Sequence, residues 1–107
     1  MIGVPYVWGG ADPDVGFDCS GLTMWSWAHA GVSLPHSSAA QYTATPRVSV
    51  DNLQPGDLLF FYSPIHHVGM YLGNNTMIHT DHPGSSVHIE TISSYYWDVY
   101  VGAGRPG

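Results

Sequence analysis

The chain has a single thiol, Cys19, which stands between an aspartate and a serine-glycine pair in the stretch GFDCSGLTMW. One cysteine cannot close an intrachain disulfide, so Cys19 is either a small buried residue or a nucleophile. If a helix begins here, its partial positive charge and unpaired N–H groups lower the pKa of the thiol below its free value. The same N–H groups can hold an oxyanion during acyl transfer. The position therefore suits nucleophilic chemistry.

A nucleophilic cysteine needs a general base, and the chain offers seven histidines. Those on or next to the predicted strands of the sheet are best placed to face the helix of the nucleophile. They are His66, His67, His79, His82 and His88. In the stretch HVGMYL, strand alternation puts His67 and Tyr71 on one face together with Gly69. The missing side chain at Gly69 leaves space beside His67, where a backbone or a substrate can approach.

The group that orients His67 depends on the register of the hairpin around GNN, residues 73–75. With a three-residue loop, His79 lies on the same face as His67, one diagonal step away. With a two-residue loop, His67 faces His82 instead. Both registers are open at this point.

The elements that must position these residues follow from periodicity and turn signals. Residues 19–30 are predicted to be a helix with Asp18 as N-cap and Gly31 as its stop. A further helical turn is expected at residues 38–42. Five apolar or alternating runs predict strands at 57–62, 67–72, 76–80, 86–92 and 99–103. One early helix and about five strands predict an α+β fold, with the helix packed on an antiparallel sheet.

Composition restricts the class of protein. The chain has 107 residues and is 44% hydrophobic, which is typical of one globular domain. Charged residues make up only 9%, and the net charge is −6, which excludes the basic face that nucleic acid binding requires. No apolar run reaches the roughly 18 residues of a membrane span. No signal peptide is visible, and residues 1–107 are expected to be a single domain from a longer protein.

Five motifs follow one another along the chain: GVPYVWGG (3–10), GFDCSGL (16–22), LPHSSAAQY (34–42), LQPGDLLFF (53–61) and HVGMYLGNNTMIH (67–79). In this order they resemble the NlpC-type cysteine peptidases of bacterial cell walls, and the resemblance covers nearly the whole chain. The pairing of DCSG with a downstream HVGMYLG is specific, whereas either motif alone is weak. The resemblance implies a papain-like α+β core, in which the helix that carries the nucleophile packs against the sheet.

The resemblance also implies a role for each candidate residue. Cys19 would be the nucleophile, His67 the base, and His79 the polar residue that orients the base. The family places this third residue twelve positions after the base, which favours His79 over His82. Tyr6 would lie beside the thiol and help to bind the substrate or the oxyanion. Substrate contacts are implied for Tyr6, Asp18, Ser20 and Ser37.

Members of the family typically hydrolyse the bond between D-γ-glutamate and diaminopimelate, or lysine, in peptidoglycan stem peptides. The resemblance therefore implies a D,L-endopeptidase that works by thiol acyl transfer and needs no metal or other cofactor. It implies stem peptides as the binding partner and a location outside the cytoplasm, secreted or at the cell wall. We expect a monomer whose targeting domains lie elsewhere in the full protein.

Three other functions fit some of the same residues. A zinc hydrolase would take its ligands from His67, His79, His82 and His88. Nothing in their spacing matches a helical metal-binding motif. A wall-binding module without turnover would need an occluded cleft or a misplaced thiol. An amidase, a transpeptidase or another acyltransferase would share the same nucleophile, because a fold does not fix the bond that is cut.

Overall fold

The computed structural model describes residues 2–107, in which three helices, eight strands and one 3-10 turn follow in chain order. The helices are α1 (Cys19–Ala28), α2 (Ser38–Ala44) and α3 (Ser94–Val99). The strands are β1 (Ala11–Asp12), β2 (Gly16–Phe17), β3 (Arg47–Val48), β4 (Leu58–Phe61), β5 (His67–Gly73), β6 (Thr76–His79), β7 (His88–Thr91) and β8 (Tyr100–Gly104). The 3-10 turn is Val50–Asn52. None of the described helices has the length and apolar character that crossing a membrane requires.

Six strands form one antiparallel sheet in the order β3-β8-β4-β5-β6-β7, and β1 pairs with β2 in a separate small hairpin. Helix α1 packs against β5 of the large sheet. The predicted α+β fold, a helix on an antiparallel sheet, is therefore confirmed. The sheet has six strands rather than about five, because the two-residue strand β3 is too short to give an apolar run in the sequence.

Strand β4 lies at the centre of the molecule, and all four of its residues are fully buried. Leu59 and Phe61 belong to one apolar cluster, which includes α3. Leu58 and Phe60 belong to a second cluster, which includes Cys19 and other residues of α1. The continuous apolar run of this strand thus reflects burial on both faces of the sheet.

Helix α1 begins at Cys19, as predicted, because the Asp18 side chain accepts a hydrogen bond from the Gly21 N–H at 2.7 Å. It ends at Ala28, two residues earlier than predicted. Its first turn lies directly against the preceding loop. A Cβ atom at Gly21 would be 1.9 Å from the carbonyl oxygen of Gly10, so this contact requires glycine.

The β5–β6 hairpin combines features of both predicted registers. Gly73 pairs with Thr76 around a two-residue turn, whose residues 74–75 both have positive φ. A bulge at Leu72 then shifts the pairing by one residue. Beyond the bulge, Met70 faces Ile78, which is the register of the three-residue loop. Because a one-residue shift reverses the side-chain faces, the bulge decides which residue meets the base candidate.

Helix α3 is an element that the sequence did not predict. Its aromatic residues have modest helix propensity, and it is only six residues long. The Ser93 side chain caps it by accepting a hydrogen bond from the Tyr96 N–H at 3.4 Å. Its Tyr96 ring packs on Phe61 and on both histidines of the candidate site, so this short helix covers that site from one side.

Candidate active site

A cleft of about 370 Å³ opens where α1 begins. Five of the predicted site residues line it: Tyr6, Asp18, Cys19, Ser20 and Ser37. The remaining two, His67 and His79, are buried in β5 and β6 and do not line the cleft. Six further side chains line the cleft: Trp8, His36, Ser38, Ile65, His66 and Asp81. The sequence singled out only His66 among them, as a candidate base, and it did not reveal that Trp8 is 86% exposed.

The Cys19 side chain is partly buried at the first residue of α1. Burial raises the pKa of its thiol, and the neighbouring Asp18 carboxylate raises it further. The main-chain groups of Val68, Ser20 and Cys19 itself act in the opposite direction. The prediction that the helix start lowers this pKa is therefore wrong, because removal of the thiol from water outweighs the stabilisation by N–H groups.

His67 is 4% exposed, and its Nε2 atom lies 2.9 Å from Nδ1 of His79. Burial lowers the pKa of His67 to about 3, with the nearby His79 as the second cause, so the ring is neutral at pH 7. The bond to His79 leaves Nδ1 as the ring nitrogen that is free for the thiol. Val68, whose main chain reaches that thiol, is the next residue of β5.

His79, and not His82, is the hydrogen-bond partner of His67. It is fully buried, whereas the side chain of His82 is 67% exposed and its Nδ1 atom contacts the Pro83 carbonyl oxygen. The register beyond the hairpin bulge accounts for this choice. Burial lowers the pKa of His79, although its hydrogen bond with Glu90 acts in the opposite direction.

Glu90 of β7 extends this pair into a chain of three polar groups. Its Oε1 atom is hydrogen-bonded to Nε2 of His79. A carboxylate only accepts, so His79 donates from Nε2 and accepts at Nδ1 from the Nε2–H of His67. The tautomers assigned in this way leave a lone pair on Nδ1 of His67. Sequence reasoning missed Glu90, because the β6–β7 register that sets it diagonal to His79 cannot be read from the chain.

The Asp18 carboxylate accepts hydrogen bonds from three segments of the chain beside the cleft. Its Oδ1 atom accepts from the Gly21 N–H at 2.7 Å and from Nε2 of His36 at 2.8 Å. Its Oδ2 atom accepts from the Gly9 N–H at 3.0 Å. The predicted N-cap is thus confirmed, and the carboxylate also holds the loop that carries Tyr6.

Tyr6, Ser20 and Ser37 are held around the thiol by different contacts. Burial raises the pKa of Tyr6, and the charges of Cys19 and Asp18, which line the same cleft, contribute to this increase. The Ser20 hydroxyl is 3.4 Å from Oδ1 of Asp18. Ser37 caps α2 by accepting from the Ala40 N–H at 3.3 Å. All three side chains face the cleft, but only Ser20 belongs to the helix that begins at Cys19.

Replacing Asp18 with asparagine is expected to lower the pKa of Cys19, because it removes the negative charge that raises it. The amide keeps one acceptor oxygen for the cap but turns a donor toward Gly9, so the preceding loop loosens. The rate of alkylation by iodoacetamide as a function of pH measures the change. Asp14→Asn, at an exposed acid that does not line the cleft, is the matched control. An unchanged midpoint in Asp18→Asn would contradict the electrostatic account.

Comparison with known proteins gives one consistent result. The sequence model of the NlpC/P60 family matches residues 3–105. A probable endopeptidase of Mycobacterium tuberculosis is 47% identical over 94 residues, which are 88% of this chain and 24% of that protein. The bifunctional muramidase/DL-endopeptidase CwlT of Bacillus subtilis is 42% identical over 109 residues, 96% of this chain and 32% of that protein. This chain therefore spans a third or less of these curated relatives.

The fold is similar to solved structures as well. The crystal structure of an NlpC/P60 family protein from Bacillus cereus matches with a TM-score of 0.92 at 37% identity. The match covers 98% of this chain and 36% of that chain. The sequence match and the structural match thus both extend over almost every residue of the chain.

Proposed function

The chain belongs to the NlpC/P60 family, and on this premise we propose that it cleaves the bond between D-γ-glutamate and diaminopimelate, or lysine, in peptidoglycan stem peptides. Two relatives of greater length are named endopeptidases, and one of them is named a DL-endopeptidase. One observation carries the proposal for this chain. The start of α1 presents the only cysteine at a cleft, while the adjacent strand holds a neutral histidine that a second histidine orients.

The mechanism is a two-step acyl transfer. Both the thiol and His67 are uncharged at rest, so the proton moves from Sγ to Nδ1 of His67 as sulfur attacks the carbonyl carbon. The N–H groups of Cys19 and Ser20 hold the resulting oxyanion. When the C–N bond breaks, His67 returns the proton to the leaving amine. It then takes a proton from water, whose oxygen attacks the thioester carbonyl carbon. As the C–S bond breaks, His67 returns this proton to Sγ, which restores the thiol and the neutral imidazole.

His79 and Glu90 keep His67 in the tautomer that this mechanism needs. Glu90 can only accept, so His79 donates to it from Nε2 and accepts from His67 at Nδ1. The positive charge that develops on His67 is therefore stabilised through His79 by the Glu90 carboxylate at the other end of the series. No metal or cofactor takes part in any of these steps.

Tyr6, Asp18, Ser20 and Ser37 are proposed as substrate contacts, because all four line the cleft. The Asp18 carboxylate already receives hydrogen bonds from its own chain. It therefore acts on a substrate amine mainly through its charge. We place the reaction outside the cytoplasm, where peptidoglycan stem peptides are assembled into the wall.

Mass spectrometry of defined stem peptides tests the proposed bond. We expect the protein to split peptides with a γ-linked D-glutamate from the following diaminopimelate, and to leave the matched α-linked isomer intact. Release of intact stem peptide from the sugar would indicate an amidase instead. Binding to wall sacculi without any product would indicate a wall-binding module. Either of these results would overturn the proposal.

A further inference from the structure

Four potential metal ligands lie together at the Glu90 end of the polar chain. They are His79, Asp81, His88 and Glu90, and one donor atom of each lies within 4.8 Å of all the others. We call them the β6–β7 cluster. Two imidazoles and two carboxylates are a donor set that Zn²⁺ and similar divalent cations accept. The set differs from the zinc ligands considered from the sequence, because His67 and His82 are outside it.

The contacts of His88 leave a position in the cluster that either a proton or a metal ion can fill. Nδ1 of His88 lies 2.7 Å from the Ser86 carbonyl oxygen, so this nitrogen carries a proton and donates it. In the neutral ring, Nε2 is then a lone pair, and it faces Oε1 of Glu90 at 3.2 Å. Two acceptors at this distance repel each other unless a proton or a metal ion lies between them.

Asp81 adds a second, independent observation. Its Oδ1 atom is shielded from water and accepts no hydrogen bond from the described residues. The nearest imidazole nitrogen, Nε2 of His82, is 3.9 Å away. The other oxygen, Oδ2, has a long contact of 3.5 Å with the Tyr96 hydroxyl, and the Ser85 side chain also acts on this carboxylate. A carboxylate oxygen that is removed from water without a partner is costly, and a bound cation would supply that partner.

The histidines are also oriented as metal ligands usually are. In metal sites, a ligating histidine donates its other ring N–H to a nearby acceptor, which fixes the ring. His88 has the Ser86 carbonyl oxygen as this acceptor. For His79, Nε2 of His67 lies 2.9 Å from its Nδ1 atom and becomes this acceptor once the two rings exchange tautomers. Both Nε2 atoms are therefore directed at Glu90 with their rings already held in place.

We propose that the β6–β7 cluster binds one divalent cation of the zinc class and that the bound ion switches off the base. A metal on Nε2 of His79 displaces the proton from this atom to solvent. The proton between the two rings then moves from Nε2 of His67 to Nδ1 of His79, which donates it back to His67, and Nδ1 of His67 takes up one proton from solvent in place of the one released. Neutral His67 then carries its own proton on Nδ1, the nitrogen that acts as the base in the proposed mechanism. It has no lone pair left to accept the proton of Cys19. This inhibition rests on the proposed function, whereas metal binding does not.

Binding is tested in the Cys19→Ala protein, in which no thiol can hold zinc. Titration calorimetry with Zn²⁺ is expected to give one ion per chain. His88→Gln in the same background is expected to weaken binding at least about tenfold, since the loss of an outer partner of a metal site already costs that much. His29→Gln, at an exposed histidine at the end of α1, is the matched control and leaves binding unchanged. The absence of binding, or equal affinity in all three proteins, would overturn the site.

Inhibition is tested with Cys19 present, on a stem peptide substrate. Zn²⁺ is expected to stop cleavage, and a chelator is expected to restore it. Half-inhibition of the His88→Gln protein is expected to need at least about ten times more zinc than that of the unmodified protein, when each rate is expressed relative to the same protein without zinc. Equal inhibition of both proteins would place the inhibitory zinc on the thiol and would overturn the switch. If no cleavage is seen at all, the proposed function fails, while calorimetry still decides the metal site.

Discussion

Replacing Cys19 with alanine is expected to lower kcat/KM for stem peptides by at least about 10⁴-fold, because removal of a catalytic nucleophile leaves only binding and oxyanion stabilisation. The structure gives no reason for a large loss of stability. The side chain is only partly buried, and alanine is a good residue for the first turn of a helix. The measurement is product formation by chromatography, with urea denaturation of the same samples to confirm folding.

Cys19→Ser is the matched control for shape, since it keeps the size and position of the side chain. Its hydroxyl is a much weaker nucleophile at neutral pH, so its rate is expected to be close to that of the alanine protein. If either variant keeps a rate within about tenfold of the unmodified protein, the thiol does not attack the substrate. The wall-binding and metal alternatives would then have to be reconsidered.

Acidification is expected to destabilise the fold between pH 6.5 and pH 3. The pKa of His67 falls from 6.5 to about 3 on folding, so in this range the unfolded chain binds a proton that the folded protein excludes. Stability is therefore lost as pH falls below the pKa that His67 has in the unfolded chain. Each unit of pKa shift is worth about 1.4 kcal/mol, so the loss approaches about 3 kcal/mol at pH 4.5. Urea denaturation at pH 7 and pH 4.5 measures it.

The variant His67→Gln removes this titration and is expected to show a correspondingly smaller loss of stability between the two pH values. The comparison uses the difference between pH values, so a general destabilisation of the variant does not affect the test. His29→Gln removes a solvent-exposed histidine instead and is expected to keep the full loss. If His67→Gln and the unmodified protein lost the same free energy of unfolding between pH 7 and pH 4.5, protonation of His67 would not destabilise the fold.

The placement of the site was largely predictable, because it depends on local signals. A capping aspartate before a helical pattern set the start of α1 at Cys19. An apolar run bounded by turn residues set β4 at the centre of the sheet. These patterns depend on near neighbours in the chain, so they can be read without knowing the tertiary structure.

The features that the sequence did not predict depend on long-range or subtle geometry. The bulge at Leu72 gives a two-residue turn the register of a longer loop. The contact between His79 and Glu90 requires the β6–β7 register, which no turn signal fixes across residues 80–87. The raised pKa of Cys19 depends on how deeply the thiol is buried, and residue type does not reveal this.

The contact between Gly10 and Gly21 has a consequence for how this domain can evolve. The loop that supplies Tyr6 and Trp8 lies against α1 so closely that no side chain fits between Gly10 and Gly21. A single substitution at position 21 would have to move this loop relative to the helix that begins at Cys19. Selection for a new substrate therefore has an easier route through the exposed rim of the cleft, such as Trp8, than through the backbone beneath it.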